Sequence, residues 1–380
     1  SEVSRILAQV IGITPDTPRR STVYDPTCGS GSLLLKASDQ AANGLSLYGQ
    51  EMDVATAALA KMNMILHDHV SDINQIQQGN TLSSPAFKED NGKLKTFDFA
   101  VANPPFSNKN WTSGLNPDQD EFGRFVWGVP PEKNGDYTFL LHILKSLKNT
   151  GKGAVILPHG VLFRGNAEAR IRENLIKQGY IKGIIGLPAN LFYGTGIPAC
   201  IIVIDKQHAR ARKGIFMVDA SKGFIKDGNK NRLRAQDIHK IVDVFTKQLE
   251  LPRYSRMVTQ AEIDKNDYNL NIPRYIDSSE AEDLHDLTAH LQGGIPNRDI
   301  DALQHYWQVF PSIRAKLFAD DRAGYSKGLV AAHQVKSTIL NHAEFKDFAR
   351  SSLAPFTAWC ERSAFKQIQP PDLPTALISR

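Results

Sequence analysis

Apolar residues along the chain form short runs that alternate with segments of helical spacing. Residues 21–25, 45–51 and 97–102 are compact apolar runs, which predict buried strands. Residues 32–42 and 54–68 carry apolar side chains three and four positions apart, which predicts helices. Strands that alternate with helices indicate a mostly parallel sheet with helices on both faces.

The middle of the chain continues this alternation. A helix is predicted from residue 135 to its stop at Gly151, and a second one covers residues 168–179. Residues 181–188 and 198–206 predict two strands joined by a Gly-rich connection. Because these two strands are so close in sequence, we expect an antiparallel hairpin at one edge of the sheet. The predicted strands of this region cover residues 153–160, 181–188, 198–206 and 214–221.

The pattern changes after about residue 230. A helix is predicted for residues 235–249, residues 268–277 look extended, and helical pieces follow. The Pro-rich residues 369–380 are expected to lie along a surface. We therefore predict an α/β domain over residues 1–250 and a separate extended and helical region over residues 251–380.

Residues 107–135 show neither a strand nor a helix period. Loops of this length are often functional or mobile. Trp111, Arg124 and Trp127 are candidates to close over a ligand. The equal alternative is that residues 107–135 form a solvated loop with no role in binding. Arg164, Arg170 and Arg172 are candidates for phosphate contacts, although a charged helix face is usually only solvated.

Composition narrows the classes of protein. The chain has 380 residues, 41% of them hydrophobic and 22% charged, as in ordinary globular domains. No apolar run approaches the roughly 20 residues that span a bilayer, so no membrane partner is expected. Its 3 cysteines, Cys28, Cys200 and Cys360, are too scattered for a disulfide framework or a zinc site, which favours the cytoplasm and no metal. A net charge of +5 tolerates a polyanionic partner without requiring one.

A Gly-rich turn, DPTCGSGS, joins the first strand to the first helix. Position 34 is Leu and no Gly-Lys-Ser/Thr follows, so the turn is neither the dinucleotide fingerprint nor a P-loop. Asp25 would repel phosphate but suits a sulfonium or amino group, and Glu51, at the next strand end, suits ribose hydroxyls. The turn therefore predicts a site for a neutral or cationic nucleoside; the alternative is a structural turn beside a surface Glu.

The stretch FDFAVANPPF ends another strand at the same sheet edge. Its prolines stiffen the loop and remove backbone donors, so carbonyl oxygens at Asn103 and Pro104 can accept both hydrogens of an amino group. Phe106 adds a flat face on which a base can stack. The alternative is a rigid turn with a core Phe. The stretch QGNTL offers Asn80 as a weaker candidate for a base-edge contact, because Asn is common in turns.

These motifs resemble the modification (methylation) subunits of type I restriction–modification systems, which are S-adenosylmethionine-dependent, N6-adenine-specific DNA methyltransferases. The resemblance covers residues 1–277 and rests on DPTCGSGSLLL, YGQEMD, GNTL and NPPF. It implies a Rossmann-like, mostly parallel seven-stranded sheet with an antiparallel edge hairpin and a C-terminal helical tail. It also implies methyl transfer from S-adenosylmethionine to the exocyclic amino group of adenine in DNA.

The resemblance implies roles for individual residues. The residues expected to bind S-adenosylmethionine are Asp25, Thr27, Cys28, Gly29, Ser30, Gly31, Glu51, Met52, Asn80, Thr81 and Leu82. The residues expected to hold the target adenine are Asn103, Pro104, Pro105 and Phe106. The implied partners are double-stranded DNA with a flipped adenine, a specificity subunit, a restriction subunit and a second copy of the methylation subunit. The specificity subunit is expected to read the DNA sequence and to contact the C-terminal tail.

Two departures from the family pattern matter. Asn80 stands where the family usually has an acidic residue, which puts cofactor affinity in question. The family also has an N-terminal helical domain whose Phe-x-Thr-Pro segment completes the cofactor pocket, and this chain starts with what looks like the sequence that follows it. We therefore expect weakened S-adenosylmethionine binding by this chain alone.

Two alternatives remain open from the sequence. A protein amide (glutamine) methyltransferase also uses Asn-Pro-Pro-aromatic, although it favours Tyr as the aromatic residue. A non-catalytic methyltransferase-like scaffold is the other, and the intact residues 103–106 argue against it. Cytosine ring methylation needs a thiol nucleophile, and Cys200 and Cys28 look like packing residues.

Overall fold

A computed structural model describes residues 2–192, 195–278 and 285–363. The chain divides into two compact units, Ser1–Ser279 and Glu280–Arg380. The predicted boundary at residue 250 therefore differs from the structural division. The first unit extends further because residues 255–259 add a strand to the main sheet.

The first unit is built on one twisted sheet. Its strands are β1 (Thr22–Asp25), β2 (Ser46–Glu51), β3 (Ile76–Gln78), β4 (Phe97–Ala102), β5 (Leu147–Pro158), β6 (Ile181–Gly186), β7 (Ala199–Asp205), β8 (Gly214–Asp219) and β11 (Ser255–Thr259). Their order in space is β11-β8-β6-β7-β5-β4-β1-β2-β3. A separate two-stranded hairpin is formed by β9 (Ile225–Asp227) and β10 (Lys230–Arg232).

Strand direction and order place a crevice at β1 and β4. β1 pairs in parallel with β2 on one side and with β4 on the other, so the strand order reverses there. Ligands of doubly wound sheets bind outside the carboxyl ends of the strands at such a reversal. Asp25 ends β1 and Asn103 directly follows β4. The fold therefore brings both candidate motifs of the sequence to this crevice.

The predicted fold class is confirmed, with differences in detail. β7 is antiparallel to both β5 and β6, as the predicted hairpin requires. That hairpin lies inside the sheet rather than at its edge, because β8 and β11 extend the sheet beyond β6 to nine strands among the described residues. The helix predicted to stop at Gly151 ends at Lys145, because Leu147 and Lys152 already pair with β4.

Helices cover both faces of this sheet. They are α1 (Glu2–Val10), α2 (Ser32–Ser38), α3 (Val54–Leu66), α4 (Asp136–Lys145), α5 (Asn166–Lys177), α6 (Ala235–Lys247) and α7 (Gln260–Lys265). One apolar core includes α1, α2, α3 and α6 side chains, such as Leu34 and Phe245. The second includes α4, α5 and α7 side chains, such as Leu140 and Leu175. Both faces of the sheet are therefore buried, which explains its long apolar strands.

The second unit is smaller and contains both helices and strands. Its elements are α8 (Leu287–Gln292), β12 (Ile295–Pro296), α9 (Asn297–Asp301), α10 (Gln304–Val309), α11 (Pro311–Leu317), β13 (Phe318–Arg322), β14 (Tyr325–Gly328), α12 (Ala332–Asn341) and α13 (Ala343–Arg362). The predicted helical character is present, but a three-stranded antiparallel sheet, β12-β14-β13, was not predicted. The Pro-rich residues 369–380 lie outside the described residues. Within the described part of the chain, no helix is both long and apolar enough to cross a membrane.

Candidate active site

The Gly-rich turn bends sharply between β1 and α2. Gly29 and Gly31 have φ values of 53° and 77°, a region that favours glycine. The N–H of Gly29 donates to Glu51 Oε2 at 3.0 Å, and the N–H of Asp53 donates to Glu51 Oε1 at 2.9 Å. The turn and the end of β2, which the sequence separates by 20 residues, therefore form one structure around the Glu51 carboxylate.

Asp25 lies beneath this turn. It is 1% exposed and accepts a hydrogen bond from the N–H of Thr27 at 2.9 Å. Burial, together with the nearby Glu51 carboxylate, raises the pKa of Asp25 to about 7, although the Thr27 hydrogen bonds oppose the shift. A bound cation would favour the ionised form, so the position suits a positively charged ligand.

Cys28 and Ser30 have structural contacts in the turn. Cys28 is buried against β2, where a Cβ at Gly49 would lie 2.9 Å from its Sγ. Burial raises the pKa of the Cys28 thiol well above its usual range, so it is no ready nucleophile. The carbonyl of Ser30 accepts from Asn63 Nδ2 at 2.8 Å, which ties the turn to α3.

A cavity of about 420 Å³ opens beside the turn, and we call it the Glu51 cavity. The predicted cofactor residues that line it are Thr27, Glu51, Met52, Asn80, Thr81 and Leu82. Its other lining residues are Pro26, Gly79, Pro105, Asn108, Asn110, Trp111, Ser113 and Phe139. Five predicted residues, Asp25 and Cys28 to Gly31, are not among the lining residues; they form the turn behind it.

The GNTL stretch holds one wall of the Glu51 cavity. Asn80 Oδ1 accepts from the N–H of Leu82 at 2.9 Å, and the hydroxyl of Thr81 donates to the carbonyl of Pro26 at 2.6 Å. Thr81 and Leu82 are buried. The Asn80 side-chain oxygen therefore helps to form the turn.

The NPPF stretch leaves β4 at the neighbouring strand end. Asn103 is exposed and Pro104 is buried. The loop then turns at Ser107, whose φ is 52° and whose N–H donates to Asp136 Oδ1 at 2.6 Å. Asp136 also pairs with Arg164. A buried carboxylate therefore fixes the path of the chain just after Phe106.

A second cavity of about 850 Å³ lies on the other side of this stretch, and we call it the Asn103 cavity. All four predicted base-holding residues, Asn103, Pro104, Pro105 and Phe106, line it. Phe106 meets the ring of Phe192 edge to face, with centroids 5.6 Å apart. Pro105 lines both cavities, so the two cavities are adjacent across the NPPF stretch.

The loop of residues 107–135 is anchored to the fold. Trp111 is 1% exposed, packs on Gly135 and donates to the carbonyl of Pro131 at 2.9 Å. Arg124 is equally buried, with its Nη2 2.7 Å from Asp120 Oδ1. The hypothesis that Arg124 closes over a ligand is therefore wrong, because its guanidinium is enclosed by the protein. Trp127 instead packs edge to face on Tyr180.

Two of the three suggested phosphate-binding arginines also have internal partners. Arg172 is buried and donates to the carbonyls of Tyr268, Val161 and Arg164. Arg164 pairs with Asp136 and with Glu168. Only Arg170 of the three is exposed. The cations of this region therefore mainly hold α5 and the NPPF loop in place.

Sequence reasoning missed Phe192 and the β9–β10 hairpin as parts of the Asn103 cavity. Phe192 comes from the connection after β6, and Lys230, Asn231 and Arg232 come from β10. Neither segment is near the NPPF stretch in sequence. The one available signal was the Gly-rich connection after residue 186, since loops at carboxyl strand ends commonly carry sites.

The doubly wound sheet, with two adjacent cavities at its strand-order reversal, defines an α/β methyltransferase fold. A solved type I restriction-modification system methyltransferase subunit from Streptococcus thermophilus matches with a TM-score of 0.66 and 37% identity, covering 73% of this chain and 58% of that one. The family model described as N-6 DNA Methylase matches residues 1–284. This chain belongs to the N-6 DNA methylase family.

Curated relatives agree with this assignment. The MjaVII type I restriction enzyme methylase subunit of Methanocaldococcus jannaschii is 34% identical over 77% of this chain and 51% of its own length. The MpnII counterpart of Mycoplasma pneumoniae is 32% identical over 74% of this chain and 53% of its own length. The chain thus spans about half the length of the curated relatives it matches.

Proposed function

We propose that the protein transfers a methyl group from S-adenosylmethionine to the exocyclic amino group of adenine in DNA, as the methylation subunit of a type I restriction–modification complex. One observation carries the proposal: Pro105 lines both the Glu51 cavity and the Asn103 cavity. A methyl donor in the first and a base in the second would meet across residues 103–106.

The residues around the Glu51 cavity fit S-adenosylmethionine. Each Glu51 oxygen accepts one backbone N–H and keeps a second lone pair for a ribose hydroxyl. Asn80 and Met52 line the same cavity and suit the adenine. Asp25, Thr27, Gly29 and Gly31 would hold the methionine end, where the buried Asp25 carboxyl favours a cation. When bound, S-adenosylmethionine supplies a methyl group activated by a positively charged sulfur.

Residues of the Asn103 cavity would prepare the amino group. The lone pair of an adenine amino group is delocalised into the ring, which makes the nitrogen a poor nucleophile. Asn103 Oδ1 and the Pro104 carbonyl can each accept a hydrogen bond from one N–H of the amino group. These two hydrogen bonds would draw the nitrogen toward tetrahedral geometry. Phe106 would stack on the base after it leaves the duplex. Catalysis would rest on proximity and oriented acceptors, without a covalent enzyme intermediate.

Buried cysteine thiols are consistent with a direct transfer that uses no thiol nucleophile. Cys200 is fully buried in β7, and burial raises the pKa of its thiol well above its usual range. Cys200 is therefore no ready nucleophile, and direct transfer to the amino nitrogen needs none.

Partners follow from the relatives. The matched proteins are methylase subunits of type I restriction enzymes, and one solved neighbour describes the assembly of a type I system. We propose that this protein works with a specificity subunit that reads the DNA, a second methylation subunit and a restriction subunit. The second compact unit, residues 285–363 as described, is our candidate for the contact with the specificity subunit.

The test is a transfer assay with the full-length protein, its specificity subunit and S-adenosylmethionine carrying a tritiated methyl group. Unmodified host DNA and total protein are offered together, and the labelled product is digested to nucleosides. N6-methyladenine as the labelled product supports the proposal. Label in glutamine, or no label in DNA, would overturn it in favour of the amide methyltransferase or the scaffold.

The matched variants are Asn103→Ala and Asn116→Ala, because both asparagines lie in loops and only Asn103 lines the Asn103 cavity. Asn103→Ala should reduce kcat by about 100-fold or more, as removal of one oriented transition-state contact does in other enzymes. Binding of S-adenosylmethionine should remain nearly unchanged. Full activity in Asn103→Ala would remove this residue from the proposed role.

A further inference from the structure

The β9–β10 hairpin is unusually basic. Residues 222–234 read KGFIKDGNKNRLR and contain five cations but one carboxylate, Asp227. The two strands are antiparallel, and Gly228 takes a φ of 59° at the first position of the two-residue loop. The glycine thus allows a tight turn, which brings Asp227 and Lys230 opposite each other.

This hairpin forms one wall of the Asn103 cavity. Asp227, Lys230, Asn231 and Arg232 line the cavity that also contains Asn103. The Arg232 Nε lies 3.2 Å from Asp227 Oδ2, and both side chains are largely exposed. Exposed ion pairs contribute little to stability, so a phosphate can replace Asp227 as the partner of Arg232 at small cost.

Asn231 ties the hairpin to the segment that carries Phe192. Its N–H donates to the carbonyl of Asn190 at 2.9 Å, and its Nδ2 donates to the carbonyl of Ala189 at 2.8 Å. Phe192 in turn packs on Phe106. A ligand bound to the hairpin would therefore lie against the wall of the Asn103 cavity that faces the NPPF stretch.

Three other arginines of this region already pair with carboxylates. Arg124 and Arg164 pair with buried carboxylates, and Arg234 at the base of the hairpin pairs with Asp237. Arg232 instead sits at the cavity with an exposed carboxylate as its partner. The hairpin is therefore the basic element best placed to meet a polyanion that enters the Asn103 cavity.

We propose that the β9–β10 hairpin binds the phosphodiester backbone next to the extruded base, with Arg232 as the principal phosphate contact and Asn231 as a positioning residue. The inference rests on the proposed DNA methylation and adds the element that holds the DNA strand. Phosphate contacts set the register of a nucleic acid without reading its sequence. The hairpin would thus hold the backbone while Asn103 holds the base.

The experiment measures methyl transfer by the full-length protein with its specificity subunit, using host DNA that lacks this modification. Arg232→Gln should raise the KM for DNA roughly tenfold near 0.1 M salt and lower the salt slope of log(kcat/KM) by about 1, as loss of one phosphate contact does. Its kcat should stay near the wild-type value. Arg232→Lys should restore the salt slope, because it keeps the charge.

Two further variants control the result. Lys226→Gln removes an equal charge from the same hairpin at a residue that does not line the cavity, and it should leave KM and slope near the wild-type values. Asp227→Asn removes the carboxylate that competes with phosphate, and it should lower the KM. Wild-type behaviour of Arg232→Gln, or an equal effect of Lys226→Gln, would overturn the hairpin proposal alone. Absence of wild-type transfer to DNA would overturn both proposals.

Discussion

The N–H of Gly29 donates to the Glu51 carboxylate at 3.0 Å, and so joins the Gly-rich turn after β1 to the end of β2. Both groups sit at carboxyl strand ends of neighbouring parallel strands. The second Glu51 oxygen accepts from the N–H of Asp53, which itself caps α3 through Thr56. One carboxylate therefore organises the turn, the strand end and the following helix before any ligand arrives.

Glu51→Gln tests this organisation. The amide keeps the size of the side chain but turns one acceptor oxygen into a donor that faces a backbone N–H. A lost hydrogen bond to a charged group costs about 1.5–3 kcal/mol, so the affinity for S-adenosylmethionine should fall by about 10- to 100-fold. Titration calorimetry measures the Kd for S-adenosylmethionine, and Glu89→Gln on an exposed loop is the control. An unchanged Kd would show that Glu51 has no part in binding.

The two glycines of the turn should differ in their tolerance of alanine. Both have left-handed φ, which costs a non-glycine residue about 1–2 kcal/mol. A Cβ at Gly29 meets nothing within 4 Å, whereas one at Gly31 lies 2.6 Å from Cε of the buried Met64. Gly31→Ala should therefore lower the free energy of unfolding by about 1–3 kcal/mol more than Gly29→Ala.

Urea unfolding followed by circular dichroism measures this difference. The double variant Gly31→Ala with Met64→Leu separates crowding from backbone strain, because the shorter leucine withdraws the crowding atom. The double variant should then recover part of the extra free energy of unfolding that Gly31→Ala loses. Equal destabilisation by the two alanine variants would contradict the predicted contact between position 31 and α3.

Much of this site could be predicted because it lies at strand ends. Asp25, Glu51 and Asn103 each terminate or follow an apolar run, and the parallel sheet brings such ends to one edge. Phe192 and Arg232 reach the Asn103 cavity through tertiary packing of distant loops, which no local period encodes. Arg124 looked like a surface cation, but its burial depends on Asp120 and on the space under the loop. The number of strands in the sheet was likewise underestimated, because β3 and β11 are short and lack a long apolar run.

Asp25 should make stability depend on pH. Burial raises its pKa from 3.8 to about 7, so between these values the folded protein holds a proton that the unfolded chain has released. The free energy of unfolding therefore falls as the pH rises through this window, and the penalty stays constant above it. Asp25→Asn removes the penalty, with an upper limit on the order of 4 kcal/mol.

Thermal unfolding from pH 4 to pH 8 measures the effect of Asp25. The Tm of Asp25→Asn should match that of the wild type at the acid end and exceed it increasingly toward neutral pH. Asp90→Asn, on an exposed loop, should follow the wild type throughout. A constant gap between Asp25→Asn and the wild type would mean that the carboxyl does not titrate in this window.

The pair of Arg124 and Asp120 should hold the loop of residues 107–135 in place. Their side chains are 1% and 3% exposed, and Arg124 also lies 3.4 Å from Nδ1 of the buried His142. Burial and the Arg124 charge lower the pKa of His142 to about 3, so His142 is neutral there and accepts from Arg124. Arg124→Met leaves Asp120 as a buried, uncompensated charge, which should cost about 3–5 kcal/mol of unfolding free energy.

A double-mutant cycle separates the pair from its surroundings. Asp120→Leu alone should lower the free energy of unfolding as much as Arg124→Met, because it leaves the buried guanidinium without its carboxylate partner. The combination should cost clearly less than the sum of the two, since a buried ion pair can be replaced by apolar side chains at little net loss. Additive losses in urea unfolding would show that the two charges do not stabilise each other. Because Trp111 of the same loop lines the Glu51 cavity, each single variant should also weaken S-adenosylmethionine binding, and the double variant should recover it.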